Sequence, residues 1–279
     1  MLTDVSDIVP ELPEVETTLR GIAPHIEGLR LKDSVVRQTK LRWPVDTKHI
    51  DALIDQKLAG LSRRGKYLLF HFPKATALWH LGMSGSLRIV TPQTPAQKHD
   101  HIDWRFGRNT VLRFHDPRRF GALVITDAPP NEHSLLNHLG PEPLSDDFSA
   151  DYLFGQSRKR KQAVKTWLMD AQMVVGVGNI YANESLYNAG IHPLKAAGKL
   201  TRKQCNKLYE EVTKVLQDAI HRGGTTLRDF VGGDGKPGYF AQELKVYGKG
   251  GAPCLQCGKA LTEKMLNQRT TVYCTRCQN

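Results

Sequence analysis

The sequence predicts an α+β protein in two parts. A leading helix and a β-rich segment come first, then helices and a cysteine-rich end. Three observations carry that expectation. Short apolar runs punctuated by Gly, Pro and Asp crowd residues 31–126. Helical periodicity with capping signals takes over after residue 150. Four of the five cysteines fall in the last 26 residues.

In chain order, Val15, Leu19, Ile22 and Ile26 recur at helical spacing behind Pro13, which a first turn tolerates. Residues 67–72, 77–80, 110–114 and 122–125 read as strands, so residues 31–126 should form a sandwich or a barrel. The Pro- and acid-rich stretch 127–150 reads as a bridge between domains. Helices are expected at 162–171, at 180–189 closed by Gly190 and Pro193, and at 202–222. The last opens on a capping box of Thr201 and Gln204 and stops at Gly223. The segment 232–238, GGDGKPG, is too glycine-rich for regular structure and reads as a mobile loop.

Composition bounds the function. The chain has 279 residues, 40% hydrophobic and 24% charged, which is the make-up of a folded globular protein. No run approaches the ~18 apolar residues of a membrane span. The first residues carry acid and no Lys or Arg, so a secretory signal is not expected. Lys plus Arg number 39 against 28 Asp plus Glu, a net charge of +11. That excess favours a polyanionic partner, either nucleic acid or an anionic membrane surface, and charge alone does not choose.

Cys254, Cys257, Cys274 and Cys277 form two CxxC pairs separated by sixteen residues. Each pair can converge both sulfurs on one tetrahedral ion, so the spacing predicts one structural Zn2+. Two disulfides or two redox motifs are the alternatives. The absence of a signal disfavours the first and the lack of a βαβ pattern the second. Cys205 sits in a helical pattern and reads as inert.

Other segments suggest contact with a polyanion. Arg158, Lys159, Arg160, Lys161 and Lys165 would load a helix start with cations, against the macrodipole. Phosphate contact would explain that cost, and a solvated face is the plain alternative. GVGN at 176–179 sits between two helices, where glycine amides and a helix start can meet an anion. Asn179 would cap that helix or donate its amide. DPRRFG at 116–121 lies between strands, where an exposed Arg-Arg-Phe suits a wedge between bases. HLGMSG at 80–85 offers a second apolar tip, Met83, although such residues are more often core. A zinc-pinned hairpin would hold Arg269 rigidly toward a phosphate.

These pieces, in this order, resemble the formamidopyrimidine-DNA glycosylase and endonuclease VIII family of bacterial base-excision enzymes. The resemblance covers about residues 10–277: PELPEVET at 10–17, GKYLL at 65–69, HLGMSGSLR at 80–88, DPRRFG at 116–121 and LGPEPL at 139–144. It continues through WLMDAQMVVGVGNIYANE at 167–184, GIHP at 190–193, GGTTLRDF at 223–230, DGKPGYFAQELKVYG at 234–248 and the zinc segment. HLGMSG, DPRRFG and DGKPGYFAQ look like the oxidised-purine branch.

The resemblance implies a two-domain α+β fold, an N-terminal β-sandwich with a leading helix and a C-terminal helix-two-turn-helix domain with a zinc-finger hairpin. The expected divisions are a removed or non-native extension at 1–9, a catalytic sandwich at 10–135 and a linker at 136–150. A DNA-binding domain with a lesion-capping loop follows at 151–240, then the zinc finger at 241–279. It also implies a bifunctional glycosylase and AP lyase for oxidised purines in duplex DNA. Pro10 would be the amine nucleophile, Glu11 the acid/base, and Lys66 a phosphate-binding residue close to the chemistry. Met83, Arg118 and Phe120 would fill the gap left by a flipped base. His80, Asn179, Tyr247 and Arg269 would touch backbone phosphates, and Lys165 joins them from the basic cluster. Damaged duplex DNA would be the partner, with no membrane, a monomeric state and a bacterial, cytoplasmic, nucleoid-associated location.

One departure matters. The family pattern needs its proline first after methionine removal, and here nine residues precede Pro10. An internal proline is a tertiary amide with a delocalised lone pair and forms no Schiff base. Translation from Val9 at a GTG codon, a cleaved extension, or a catalytically silent lesion binder would each account for it. The first is preferred, because residues 1–8 show no pattern of their own and Glu11 and Lys66 are kept.

Overall fold

A computed structural model describes residues 10–223 and 244–279, and the 232–238 glycine loop lies outside the described residues. The chain divides into two compact units, one running to His138 and the other from Leu139 to Arg222 and on through the C-terminal segment.

The first unit opens with α1 (Leu12–Ile26), with Glu11 at its N-cap. Glu14 closes a capping box by accepting the Glu11 backbone N–H at 3.0 Å. Val15, Ile22 and Ile26 are buried and Leu19 packs against the same core, so the helical spacing is what buries this face. One antiparallel sheet orders β1 (Leu31–Val36), β6 (Asp100–Phe106), β7 (Thr110–His115) and β5 (Ser86–Val90). The other orders β2 (Gly60–Arg64), β3 (Tyr67–His71), β4 (Thr76–His80) and β8 (Ala122–Thr126), and α2 (Thr47–Asp51) lies between β1 and β2 in sequence.

Two separate sheets make this a sandwich, which settles the choice left open with a barrel. Aromatic side chains lock it. Trp79 of β4 meets Trp104 of β6 with ring centroids 5.2 Å apart, and Phe114 of β7 lies 5.3 Å from Trp79. Each such ring, once buried, contributes roughly 1.5–3 kcal/mol of transfer free energy.

The second unit holds α3 (Ala150–Ser157), α4 (Val164–Leu168), α5 (Asn179–Asn188) and α6 (Arg202–His221). Thr201 and Gln204 form the expected capping box of α6, and Gly223 follows its C-cap at φ +79°. At the end of α5 the Gly190 N–H donates to Tyr187 O at 3.1 Å and the Ile191 N–H to Leu186 O at 3.0 Å. Both bonds together are a Schellman stop. The finger pairs β9 (Thr262–Leu266) with β10 (Arg269–Tyr273) through Asn267 and Gln268, whose φ values of 47° and 59° give a two-residue primed turn. Tyr187, Val246, Leu261 and Val272 form one cluster with the cysteines, so the finger is continuous with α5.

Two expectations change. The helix expected at 162–171 is the five-residue α4, because Asp170–Val174 turn back on themselves. Of the basic cluster only Lys165 lies in the start of a helix, as the second residue of α4. Arg158 is the C-cap of α3, where a cation meets the negative end of the dipole, and its guanidinium also donates to Leu200 O at 2.6 Å. The stretch 136–150, read as a linker, is itself packed: Leu136 and Phe148 are buried, and the Gly140 N–H donates to Ala171 O at 2.8 Å. No helix among the described residues is long and apolar enough to cross a membrane.

Candidate nucleic-acid interface and metal centre

The four cysteines converge, with all Sγ atoms within 4.8 Å of one another. Cys254 and Cys277 sulfurs are 3.9 Å apart and those of Cys257 and Cys274 3.5 Å, so neither pair is a disulfide. A tetrahedral zinc with ~2.3 Å bonds to sulfur needs sulfur–sulfur edges of about 3.8 Å, which these separations match. The set holds one structural zinc. Four thiolates leave no position for a reacting ligand, so the ion pins the finger and performs no step. The Tyr187 hydroxyl, on α5, lies 3.2 Å from Cys254 Sγ and ties the centre to the helices.

In the sandwich unit, Pro10 and Glu11 are buried at the start of α1, with Glu11 only 2% exposed. Lys66 sits in the turn joining β2 to β3. That hairpin is fastened to α1 by Arg63, whose Nε donates to Glu16 at 3.0 Å while Nη1 donates to Gly65 O at 2.9 Å. Burial works to raise the Glu16 carboxyl, but Arg20 and Arg63 outweigh it and hold the group ionised. His80 ends β4 near Lys66. Burial, then the Lys66 and Arg42 charges, push its pKa down to about 4. Its Nδ1 accepts the Gly82 N–H at 2.9 Å, so the neutral ring carries its proton on Nε2. His80 can therefore offer a phosphate one N–H and no charge.

The two tips lie side by side. Gly82, at φ +69°, is so close to the neighbouring loop that a Cβ there would sit 2.4 Å from Gly121 N and Phe120 C. Met83 is half-buried beside it. Phe120 is 44% exposed, and the Arg118 guanidinium lies 5.2 Å from the centroid of its ring. Arginine over an exposed aromatic ring is a preformed flat surface on which a base could stack.

The helical unit gathers Asn179, Tyr247 and Arg269 around α5. Gly178 is the N-cap and Asn179 the first helical residue, so Asn179 does not cap. One turn on, Asn183 donates to Asn179 O at 2.6 Å and to its Oδ1 at 3.3 Å, and accepts the Val272 N–H at 2.9 Å. The Glu184 carboxylate, 3% exposed, accepts three backbone N–H groups, from Lys245, Val246 and Tyr247, at 2.8–2.9 Å. Arg269 is exposed at the start of β10, next to the turn.

Lys165 is a correction. It is 1% exposed, and its ammonium donates to Thr270 O at 2.9 Å and Thr271 Oγ1 at 2.8 Å. A buried ammonium bonded to Thr270 and Thr271 holds the hairpin instead of standing out toward solvent. Sequence reasoning missed Asp116, Asn183 and Glu184 as organisers. The spacing of four between Asn179 and Asn183 was the only available signal.

A β-sandwich with an Arg-Phe tip, followed by helices that carry a four-thiolate finger, defines a zinc-stabilised DNA-binding protein. Three sequence profiles match in order: the formamidopyrimidine-DNA glycosylase N-terminal domain over residues 9–123, its H2TH domain over 139–231, and a zinc finger found in FPG and IleRS over 251–279. The formamidopyrimidine-DNA glycosylase of Saccharophagus degradans is 62% identical over 270 residues, covering 97% of this chain and 100% of that one. That of Pseudomonas aeruginosa is 54% identical over the same shares. Among solved structures, MutM (Fpg) of Thermus thermophilus superposes with a TM-score of 0.87 at 35% identity, covering 96% of this chain and 98% of that one. Lactococcus lactis Fpg in complex with N7-benzyl-Fapy-dG containing DNA gives 0.89 at 32%, covering 97% and 100%. The chain belongs to the formamidopyrimidine-DNA glycosylase family.

Proposed function

We propose that this protein excises oxidised purines, 8-oxoguanine and formamidopyrimidines, from duplex DNA and then cuts the strand as an AP lyase. The observation that carries this reading is Glu11, a carboxylate 2% exposed next to Pro10 at the mouth of α1. A free Pro10 amine attacks the anomeric carbon, the glycosidic bond breaks and the base leaves, with Glu11 protonating the opening sugar. The resulting iminium draws electrons from the sugar, so β-elimination and then δ-elimination release the strand on both sides. Lys66 steadies a phosphate beside this chemistry. Met83, Arg118 and Phe120 occupy the space of the extruded nucleotide. His80, Asn179, Tyr247 and Arg269 hold backbone phosphates. The lesion-capping loop that the resemblance places at 225–240 lies outside the described residues.

The active form has Pro10 as its first residue, because an internal proline nitrogen is a tertiary amide whose delocalised lone pair cannot form the iminium. Borohydride trapping on an 8-oxoguanine duplex tests this. A protein starting at Pro10 should form a covalent adduct, and Pro10→Gly should lose most of it. Intact mass of the natively expressed protein is the companion measurement, and a retained Met1 or Leu2 would sink the enzymatic reading.

That internal amide favours one second reading, a catalytically silent, zinc-dependent lesion binder, for the chain with residues 1–9 in place. Such a chain should bind an 8-oxoguanine duplex without forming an adduct. In either form we place the protein on DNA in the bacterial cytoplasm as a monomer, a reading that rests on the family.

A further inference from the structure

The wedge-bearing loops leave their sheet just where its ladder ends. His80 pairs with Ala122 at the last register position of β4 and β8. On the other side Ser86 of β5 pairs with His115 of β7, so ladders anchor both ends of the two loops while 81–85 and 117–121 run between them without strand pairing. Between those anchors side chains must fix the loops against each other, because Met83 sits on one loop and Arg118 and Phe120 on the other.

Asp116 stands between them and is fully buried. Its Oδ1 accepts the Ser84 hydroxyl at 2.8 Å, from the loop of Met83. Its Oδ2 accepts the Gly121 N–H at 2.7 Å, directly after Phe120. Ser84 Oγ in turn accepts the Arg118 N–H at 3.3 Å. The Asp116 backbone is fixed as well, its carbonyl 2.8 Å from His101 Nε2 on β6 and its N–H donating to His99 O at 3.0 Å. One carboxylate therefore reaches both loops, while His99 and His101 hold the carboxylate's own backbone still.

We propose that Asp116 is a positioning residue that, through Ser84 and Gly121, locks Met83, Arg118 and Phe120 into a single rigid wedge. The proposal rests on the reading that these three side chains fill the gap at a damaged nucleotide. Hydrogen bonds in a dry site are among the stronger ones, so the arrangement they set is stiff. The wedge then meets DNA already ordered, and the cost of ordering two loops does not fall on binding.

The test uses the full chain and does not depend on a free Pro10 amine. The probe is a duplex with one tetrahydrofuran abasic site opposite 2-aminopurine. The readouts are affinity relative to the undamaged duplex and the 2-aminopurine fluorescence change. Ser84→Ala removes the tie between loops with little volume change. Asp116→Asn keeps the shape and replaces one acceptor by a donor. Each should lower the damaged-to-undamaged affinity ratio about tenfold and reduce the fluorescence change. Combined with Phe120→Ala, either should add little further loss, because a wedge without its ring has nothing left to position. A purely structural role would give additive losses in both duplexes, and that result overturns the proposal. An unchanged ratio in Ser84→Ala, with Phe120→Ala impaired, overturns it too. An unchanged ratio in Phe120→Ala itself removes the gap-filling reading, and the proposal with it. Should Asp116→Asn fail to fold, Ser84→Ala decides alone.

Discussion

The tips of the sandwich and the hairpin beside α5 both present an arginine to solvent, yet they are held by different means. At the tips, two loops beyond the end of a ladder are joined by one buried carboxylate, Asp116. At the finger, Arg269 starts a five-pair ladder that already fixes it against β9, and the helices need only dock that ladder. Lys165 and Asn183 do so through the backbone of Thr270 and Val272, and Glu184 gathers the incoming segment at 245–247. The lesson is about register. Paired strands carry it residue by residue, whereas loops that ladders pin only at their ends are fixed between those ends by a buried side chain.

The largest expected effect comes from removing the zinc. Structural zinc sites contribute roughly 10–16 kcal/mol in isolated fingers, so chelation should unfold the finger and abolish DNA binding. The sandwich should stay folded, which retained fluorescence of the buried Trp79 and Trp104 would report. Loss of both signals together would break the comparison by showing that the finger also stabilises the sandwich.

Glu184→Gln comes next. It keeps the volume but turns one acceptor toward a backbone N–H as a donor, which should cost about 2–4 kcal/mol in urea unfolding. A cost below ~1 kcal/mol would mean that the 245–247 segment is held by zinc alone.

The cations sharpen the distinction between positioning and contact. Arg269→Ala should flatten the salt dependence of DNA binding by about one phosphate. Lys165→Met should lower the melting temperature and leave that slope close to wild type, since its charge is spent on Thr270 and Thr271. An equal change of slope in both variants would return Lys165 to the interface.

The smallest effect is on pH. His80 has a native pKa of about 4, below the unfolded value of 6.5. Between those values the unfolded chain binds a proton that the native ring refuses, so stability falls as pH drops from 6.5 toward 4. The loss should be on the order of 1–3 kcal/mol, and His80→Gln should remove it from the pH profile.

Much of this was legible in the chain because its signals are local. The CxxC pairs, the Thr201–Gln204 capping box, the Gly190 stop and the strand runs each rest on contacts a few residues apart. What escaped was long-range. Ser84 and Asp116 lie 32 residues apart, Lys165 and Thr271 106, Asn183 and Val272 89. Lys165 misled for the same reason. A cation in a run of cations looks solvated until the fold shows that it points inward.

Residue order was enough for the family, the order of the units, the zinc ligands and the candidate chemistry at Pro10 and Glu11. Backbone periodicity, cap chemistry and thiol spacing act within a turn or two and need no partner from elsewhere. The tertiary structure alone decided which polar side chains are inside and what they hold. Asp116, Asn183 and Glu184 are surface residue types by composition, and each is buried with its hydrogen bonds met. A buried polar group is tolerated only where donors and acceptors converge on it, and that convergence exists only once distant segments have folded together.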